Sequence, residues 1–487
     1  EYYFLCNRPH FEFLTWQLSY GFAMLLGQFA IDLQMLEVIV LAAGRGTRMK
    51  SELPKVLHPI GGQPMVASVL DTARQLGAER LHVVVGHGAS QVSDAVAASD
   101  VEIYVQAEQL GTGHAALQAA PSCHPDSMVL ILFGDVPLLS AGVLADVVSA
   151  AEMQPTLLAA TLEDPTGYGR VIRGADGSFA RVVEQKDGLP HELEVTEVNT
   201  GVLAARGSEL VAWLGQVKND NAQGEFYLPD VLSLALRDGK KVSVVVTDKS
   251  NEISGVNDRA QLEALERAHQ RQKADELMAA GVHVMDASRL DIRGSLACGT
   301  DVVLDANVLI EGEVRLGDQV VIEANCVLKD CVIGDGTVVR AFTHIEGAAV
   351  AAHCQVGPYA RLRPGADLGD GAKVGNFVEV KNSVFGAGAK ANHLAYVGDA
   401  TVGAGSNIGA GTITCNYDGA NKHRTELGDN VFIGSNSTLV APLTVENGGF
   451  VAAGSTVTSK VGESQLAVGR AKQRNIDGWK RPEKPKQ

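Results

Sequence analysis

A six-residue repeat runs through the C-terminal half of the chain, up to Val457, and constrains its fold more than any other feature. The units 310–315, 316–321 and 322–327 each open with an aliphatic residue and place a small or β-branched residue fifth. This period is typical of a hexapeptide β-helix, in which each unit is one short strand and a turn. Since a single coil buries nothing alone, coils must stack, and the repeat predicts a long prism of parallel strands.

The N-terminal half has a different pattern, so the chain has at least two domains. The runs Val38–Ala42, Leu81–Val85 and Ser127–Phe133 are apolar and predict buried strands, while Met65–Leu76 predicts a helix. Alternation of this kind predicts an α/β, Rossmann-like domain with a doubly wound parallel sheet. Ligands of such folds bind at the carboxyl ends of the strands.

The net charge limits the kind of partner that the chain is expected to bind, and the cysteine content indicates its compartment. The net charge of −16 argues against a broad nucleic-acid-binding surface. The seven cysteines show no paired metal-ligand spacing, and Cys326 and Cys354 fall at fifth positions of the repeat. These two are expected to be small core residues rather than ligands or disulfides. A reducing cytoplasm is the expected location, with no membrane insertion.

Residues 1–34 differ from the rest of the chain. They are aromatic-rich and do not begin with methionine, and their apolar stretch Tyr20–Ile31 is too short to span a bilayer. A signal peptide would need a basic front and a small-residue cleavage site, and both are poor here. We expect translation to begin at Met35 and residues 1–34 to be an upstream or non-native extension.

Two features of the N-terminal half point to phosphate chemistry. The glycine-rich loop Ala43–Met49 follows a strand, where backbone N–H groups can cradle a phosphate, although a tight turn is an equal alternative. Asp135 ends another apolar strand, where a carboxylate suits a Mg²⁺ ligand but also a loop cap. Basic side chains such as Arg48 and Lys55 would neutralise phosphate, although most single Lys and Arg residues are merely solvated.

Short motifs resolve these alternatives through a family resemblance. In order along the chain they are 41–49, 53–57, 106–115, 134–138, 166–170, 183–186, 197–201 and 390–398. Together with the repeat they resemble the bacterial bifunctional N-acetylglucosamine-1-phosphate uridyltransferases/glucosamine-1-phosphate N-acetyltransferases, from Met35 to about Lys480. The resemblance implies a nucleotidyltransferase domain at 35–259, a linker helix at 260–280, and a left-handed β-helix acetyltransferase domain with a basic tail at 281–487. Handedness rests on the resemblance alone, since most parallel crossovers are right-handed.

The resemblance assigns roles in the uridyl transfer. It implies Arg48 and Lys55 as catalytic residues and Asp135 with Asn257 as Mg²⁺ ligands. The residues implied to bind UDP-N-acetylglucosamine are Leu41, Ala42, Ala43, Gly44, Lys55, Gln106, Gly111, Thr112, Gly169, Glu184, Asn199 and Asn257. Tyr227 can line the sugar pocket, but we expect it to pack in the core.

A second set belongs to the acetyl transfer. His393 falls outside the inward-pointing positions of its hexad, and its imidazole suits a general base, as the resemblance implies. The residues implied to bind glucosamine phosphate are Arg363, Lys381, Tyr396 and Asn407, and those implied for acetyl-CoA are Ala410, Asn416, Tyr417, Ser435, Ala453 and Arg470. Asn416, in the insertion 414–422, is also implied to polarise the thioester. The alternative for the insertion is a tolerated surface loop.

Three functions remain open at this stage. The first is a homotrimeric enzyme that acetylates glucosamine 1-phosphate with acetyl-CoA and then transfers UMP from UTP, giving UDP-N-acetylglucosamine for cell-wall and lipopolysaccharide precursors. The second is a single-activity nucleotidyltransferase whose prism serves assembly, and the third is a scaffold that binds sugar nucleotides. His393 with the Asn416 loop argues against the second, and Asp135 with Asn257 argues against the third. We expect the two sites to work independently and the basic tail, Lys480–Lys486, to be solvated.

Overall fold

The computed structural model of the protein describes residues 35–482. The predictions for residues 1–34 and for the end of the basic tail, 483–487, lie outside the described residues. Within residues 35–482, every helix is too short or too polar to cross a membrane.

The N-terminal domain alternates strands and helices. Its strands β1 to β11 are Leu36–Ala42, Pro59–Ile60, Gln63–Pro64, Arg80–Val85, Val101–Val105, Met128–Phe133, Thr156–Thr161, Gly169–Arg173, Phe179–Val183, Glu197–Arg206 and Ser243–Thr247. Helices α1 to α8 are Met65–Gln75, Ala89–Val96, Thr112–Ala119, Ala141–Ala151, Pro190–Leu193, Gly207–Leu214, Asp230–Arg237 and Arg259–Ala279. Short 3-10 helices are Thr47–Met49, Lys55–Leu57, Ala120–Ser122 and Ala287–Arg289.

A mixed nine-stranded sheet forms the centre of this domain, so the Rossmann-like class is confirmed, but the expectation of a parallel sheet is wrong at β10, which runs antiparallel to β6, β7 and β8. Its main path runs β11-β7-β10-β6-β1-β4-β5, with β8 and β9 attached to β10. Successive side chains of β1 enter two different cores, because neighbouring residues of a strand point to opposite faces: Val38 and Val40 pack on one side, Ile39 and Leu41 on the other. Leu41 pairs with Phe133 in parallel register. The loops that follow β1 and β6 therefore meet at one edge.

The C-terminal domain is the expected parallel β-helix. Its strands β12 to β38 are His283–Val284, Leu290–Cys298, Val303–Leu304, Val308–Leu316, Val321–Ile322, Val327–Ile333, Val338–Val339, His344–Glu346, Ala349–Val350, Gln355–Val356, Arg361–Leu362, Asp367–Leu368, Lys373–Asn376, Glu379–Lys381, Val384–Phe385, Lys390–His393, Tyr396–Gly398, Ala400–Val402, Asn407–Ile408, Ile413–Cys415, Thr425–Leu427, Phe432–Ile433, Thr438–Val440, Leu443–Val445, Phe450–Val451, Thr456–Val457 and Leu466–Ala467.

These strands form an 11-stranded and a 16-stranded sheet. We call the 11-stranded sheet the first face. The second face is the column β19-β22-β25-β28-β31-β34-β37, and the third is β20-β23-β26-β29-β32-β35, both within the 16-stranded sheet.

The repeat phase predicted the core of the β-helix correctly. Ile310 and Ile322, which open hexads, are fully buried, and so is the fifth-position residue Val320. Cys326 and Cys354 are buried free thiols, and burial raises the pKa of Cys326 to about 11. They are inert core residues, as expected.

Helix α8 joins the halves and is less exposed than its sequence suggests. Asp258 caps its amino end, since its Oδ1 accepts hydrogen bonds from the N–H groups of Ala260 and Gln261. Gln270 is 2% exposed, donates from Nε2 to the Ile292 carbonyl at 2.8 Å and accepts from the Ile292 N–H at 2.7 Å. This face of the linker helix is therefore buried, because Gln270 satisfies the backbone of the first long β-helix strand.

An exposed apolar ladder marks the corner between the first and second faces. Phe342, Tyr359, Phe377 and Leu394 occupy it in successive coils with φ of 61°, 55°, 56° and 50°. The ring centroids of Phe342 and Tyr359 are 4.9 Å apart, and those of Tyr359 and Phe377 are 5.2 Å apart. All four are about half exposed or more. Bulky residues rarely adopt such backbone angles, so a tight corner holds them outward.

Candidate functional site

One cavity of about 310 Å³ lies at the carboxyl ends of β1 and β6. It collects most of the residues implied to bind the nucleotide. It is lined by Leu41, Ala42, Ala43, Gly44, Lys55, Val56, Gln106, Gln109, Gly111, Thr112, Ala115, Phe133, Asp135 and Glu225. Arg48 is exposed on its 3-10 helix and is not among these residues.

Two glycines shape this cavity by close approach. Gly46 has φ of 58°, and a Cβ there would lie 2.7 Å from Cβ of Lys55. Gly111 has φ of 112°, and a Cβ there would lie 2.6 Å from the Phe226 carbonyl oxygen. Only glycine tolerates both the backbone angles and the contacts, so these positions fix the two loops of the cavity. Gln106 is buried and donates from Nε2 to the Gly111 carbonyl at 3.1 Å.

Sequence reasoning missed five lining residues: Val56, Gln109, Ala115, Phe133 and Glu225. Arg45 Nε donates to Gln109 Oε1 at 3.2 Å, which links the glycine loop to the far wall. Gln109 lies inside a recognised motif and Phe133 ends the strand before Asp135, so both carried a signal. No sequence signal pointed to Glu225, because the turn that brings it into the cavity is remote in sequence from the other lining residues.

A pair of oxygen atoms converges on the amino group of Lys55. Its Nζ contacts Asp135 Oδ2 closely and lies 3.4 Å from Asn257 Oδ1. The Val256 N–H donates to the Asp135 carbonyl at 3.0 Å, which aligns the two segments. The structure thus brings together Asp135 and Asn257, and a cation already fits between their oxygens. Hard oxygen donors of this kind suit Mg²⁺.

The residues implied to bind the sugar also come together. Gly169 pairs with Asn199 between β8 and β10, and a Cβ on Gly169 would lie 3.0 Å from Glu184 Oε1. Burial, and after it the charges of Asp187 and Asp230, raises the pKa of Glu184. Tyr227 lines a neighbouring cavity of about 330 Å³ with Glu184 and is partly exposed. The expectation that Tyr227 packs in the core is therefore wrong, since its hydroxyl is held at the surface by Gln223.

His393 ends strand β27 on the first face and is exposed, as its hexad phase predicted. Its Nδ1 lies 2.6 Å from Asn376 Oδ1. Because an amide oxygen only accepts, the hydrogen lies on Nδ1 and the lone pair on Nε2. The Nε2 atom of the imidazole is therefore the one available to act as a base.

The implied sugar-phosphate ligands lie on the second face and beside it. Arg363 Nη1 donates to Glu379 Oε1 at 2.8 Å, and Glu379 pairs with Tyr396 in the next coil. Lys381 pairs with Gly398 at the end of the same strands. Asn407 lies on the first face, one coil beyond Lys390.

The insertion is an ordered hairpin rather than a loose loop. Asp418 accepts hydrogen bonds from the N–H groups of Ala420 at 2.8 Å and Asn421 at 2.7 Å. Asn416 is 8% exposed, and its Nδ2 donates to the buried carboxylate of Asp399. Tyr417 next to it is 62% exposed and donates to the Gly419 carbonyl at 2.6 Å.

The implied acetyl-CoA ligands form a row along successive coils. The Asn436 N–H donates to the Ala410 carbonyl, and the Gly454 N–H donates to the Ser435 carbonyl. Arg470 Nη1 donates to the Ala453 carbonyl and closes the row. Ser435, Ala453 and Arg470 are exposed, so the row borders open space.

Within the described residues, the groups implied for the acetyl transfer lie at two edges of the second face. His393 stands at the corner between the first and second faces, whereas Lys381, Gly398 and Asn416 lie at the far edge of the second face. Five residues separate His393 from Gly398, which at ~3.3 Å per residue is at most about 16 Å.

A second group of ligand-type residues lies at the opposite end of β1. Glu37, His82 and Cys123 bring three ligand atoms within 4.8 Å of one another. Glu37 Oε2 lies 2.7 Å from His82 Nε2, and Glu37 Oε1 accepts from the His124 N–H at 2.7 Å. Burial raises the pKa of the Cys123 thiol to about 12. The carboxylate and imidazole are already partnered and the thiol stays protonated, so the group is a buried hydrogen-bond network.

Comparison with known proteins extends this picture to the whole chain. Residues 38–207 match the family described as the MobA-like NTP transferase domain. A Cellvibrio japonicus protein named "Bifunctional protein GlmU" is 53% identical over 92% of this chain and 99% of its own length. The protein of that name from Burkholderia multivorans is 54% identical over 93% of this chain and 100% of its own.

The chain belongs to the GlmU family. It is therefore a bifunctional transferase, a uridyltransferase and an acetyltransferase, and its first domain is an NTP transferase domain. Because the alignment spans nearly the full length of the GlmU relatives, it includes both the cleft and the β-helix.

Proposed function

We propose that the cavity between β1 and β6 carries the uridyl transfer and that the exposed surface around His393 carries the acetyl transfer. In the uridyl transfer, an oxygen of N-acetylglucosamine 1-phosphate attacks the α-phosphorus of UTP and expels pyrophosphate. The convergence of the Gly44 loop, Lys55 and Asp135 in one cavity carries this proposal. Reactions of this type need alignment and charge neutralisation more than covalent chemistry.

Asp135 and Asn257 are the proposed Mg²⁺ ligands. Their oxygens already converge on one cationic atom, Lys55 Nζ, and both are hard donors. Mg²⁺ bound there would offset the negative charge of the phosphates. Lys55 would supply further positive charge from the cavity wall, and Arg48 from its exposed 3-10 helix.

The proposed sugar site lies at the junction of β8 and β10. Gly169, Glu184 and Asn199 lie around one strand junction, and the Cβ-free Gly169 leaves room beside the carboxylate. Glu184 would accept hydrogen bonds from sugar hydroxyls or the amide. Gln106, Gly111 and Thr112 would hold uridine on the other side of the phosphates.

In the acetyl transfer, Nε2 of His393 would take a proton from the ammonium group of glucosamine 1-phosphate. The freed amine would attack the thioester carbon of acetyl-CoA, the C–S bond would break, and the departing CoA thiolate would take up the proton that the nitrogen loses as the amide forms. Arg363 and Lys381 would bind the sugar phosphate, with Tyr396 and Asn407 on the sugar. Asn416 would donate to the thioester oxygen, and Tyr417 would lie beside it.

A homotrimer through the β-helix domains would complete this second site. The ladder Phe342-Tyr359-Phe377-Leu394 is an exposed apolar surface, and its last member directly follows His393. A neighbouring copy on this ladder would therefore stand beside the base. It would bring its own Asn416 edge or its acetyl-CoA row (Ala410, Ser435, Ala453, Arg470) toward His393.

The proposed sequence of reactions is acetylation followed by uridylation. The product, UDP-N-acetylglucosamine, would supply peptidoglycan and lipopolysaccharide precursors in the cytoplasm. A coupled assay with glucosamine 1-phosphate, acetyl-CoA, UTP and Mg²⁺ tests the assignment. His393→Ala should lose only CoA release, and Asp135→Asn only pyrophosphate release from supplied N-acetylglucosamine 1-phosphate. If His393→Ala releases CoA at the wild-type rate, the acetyl-transfer site lies elsewhere.

A further inference from the structure

Lys55 occupies the position between the two proposed metal donors. Its Nζ contacts Asp135 Oδ2 and lies 3.4 Å from Asn257 Oδ1. The side chains of Lys55 and Asp135 are 13% and 18% exposed, so water screens this pair little. A second cation cannot share the position, because the oxygens are already engaged and like charges repel.

We propose that Lys55 is a resident cation that keeps the metal out of the free enzyme and yields its place when a nucleoside triphosphate binds. The inference rests on the proposed function, since it takes Asp135 and Asn257 as metal donors. It adds a binding order to that function: the divalent cation binds weakly alone and tightly with the triphosphate.

The local structure lets the amino group move while the backbone stays fixed. Lys55 begins a 3-10 helix whose next residues, Val56 and Leu57, are buried, and the Leu57 N–H donates to the Pro54 carbonyl at 2.9 Å. Only the flexible side chain needs to rearrange.

An alternative partner for the ammonium lies within reach of this side chain. Lys55 lines the same cavity as Gly44, whose loop is the proposed phosphate cradle. A bound triphosphate would place several anionic oxygens there and draw the ammonium from Asp135. The vacated oxygens then bind the divalent cation. Metal and nucleotide should therefore bind with positive coupling, and the coupling should depend on the charge of Lys55.

Binding of Mn²⁺, followed by electron paramagnetic resonance, tests this without turnover. The proteins are the full-length wild type, Lys55→Met, and Lys249→Met as the control. The control removes another lysine ion pair of the same domain, Lys249 with Glu252 at 2.8 Å, away from the cavity. We expect Lys55→Met without nucleotide to bind Mn²⁺ about tenfold more tightly than the wild type. Lys249→Met should match the wild type, and UTP should tighten Mn²⁺ binding to the wild type much more than to Lys55→Met.

The Asp135→Asn variant distinguishes failure of the resident-cation proposal from failure of the proposed metal site. If Lys55→Met leaves the Mn²⁺ affinity of the free enzyme unchanged while Asp135→Asn abolishes Mn²⁺ binding with UTP, the metal site stands and the resident-cation role is wrong. If Asp135→Asn binds Mn²⁺ and UTP as the wild type does, the proposed metal site itself is wrong. The double variant Lys55→Met/Asp135→Asn should lose the tighter Mn²⁺ binding that is expected of Lys55→Met alone. Lys55→Gln repeats the comparison with a polar side chain in case the methionine variant does not fold.

Discussion

Asn376 Oδ1 accepts a hydrogen bond from His393 Nδ1 over 2.6 Å, from one coil of the β-helix to the next. This bond selects the tautomer with its lone pair on Nε2 and fixes the plane of the ring. An exposed imidazole without it would rotate and would exchange tautomers. Asn376 is therefore a positioning residue for the proposed base.

Asn376→Ala should lower kcat of the acetyl transfer by about tenfold, a part of what a general base contributes. Uridyl transfer should stay unchanged, because Asn376 lies in the other domain. Asn376→Asp restores an acceptor and adds a negative charge, so it should regain rate and move the pH–rate profile of the acetyl transfer to higher pH. An Asn376→Ala enzyme with wild-type kcat and pH profile would show that the bond does not orient the base.

The aromatic ladder gives a prediction about assembly. Phe377 is 58% exposed and stacks on Tyr359 with 5.2 Å between ring centroids. Phe377→Asp should convert the proposed trimer to smaller species in analytical ultracentrifugation and lower acetyl transfer by about tenfold or more, because a charge in the core of an interface is costly. Uridyl transfer should persist.

Met153→Asp serves as the control for this change. Met153 is 88% exposed and lies in the nucleotidyltransferase domain, away from the ladder. It should keep both the assembly state and the two activities. A trimeric Phe377→Asp protein would place the interface on another surface.

Much of this architecture was predictable because the hexad phase determines which side chains point inward. The same coil length also brings residues about one coil apart together, and Asn376 stands 17 residues before His393. That partner was therefore within reach of sequence reasoning, although it was missed. Most residues of the proposed nucleotide cavity were identified through family motifs rather than through hydrophobic periodicity, because its walls come from loops distant along the chain.

Other relationships carried no sequence signal. Lys55 meets Asp135 across 80 residues and Asn257 across 202 residues, and only the sheet order brings them together. The polar sequence of its helix predicts that Gln270 faces solvent. Its side chain instead makes the backbone hydrogen bonds that a neighbouring strand would otherwise make at the start of the β-helix. Tyr227 reads as core, but its hydroxyl is held at the surface by a neighbouring glutamine.

Gln270 supplies a prediction about stability. Its side chain satisfies both the N–H and the carbonyl of Ile292 in a buried position. Gln270→Ala would leave both backbone groups unpaired, which should lower the free energy of unfolding by about 2 kcal/mol. Urea unfolding measures the loss, and hydrogen exchange at the Ile292 amide should accelerate.

Gln272→Ala is the matched control on the same helix. The Gln272 side chain is exposed and donates only to Glu276 Oε1, at 3.1 Å. Its removal should change the free energy of unfolding little. Equal losses for the two variants would mean that Gln270 contributes only helix propensity.

Asp230 gives a prediction about pH. Burial, and after it the charge of Asp187, raises the pKa of Asp230 to about 6. The folded state therefore holds a proton that the unfolded state has already lost between its ordinary pKa, near 3.8, and about 6. The contribution of Asp230 to stability falls as pH rises through this window and stays unfavourable above it.

Asp230→Asn should accordingly be more stable than the wild type at pH 8, on the order of 1 kcal/mol, and equal to it at pH 4. Urea unfolding at both pH values measures the difference, with the exposed Asp146→Asn as the control. A variant less stable than the wild type at pH 8 would contradict this reading.

Asp230 lines the cavity that contains Glu184, so two acidic groups are kept together there against their mutual repulsion. One informative outcome is that Asp230→Asn gains stability at pH 8 and at the same time shows a higher KM for N-acetylglucosamine 1-phosphate. That pair of results would mean that the destabilising carboxylate of Asp230 serves sugar binding.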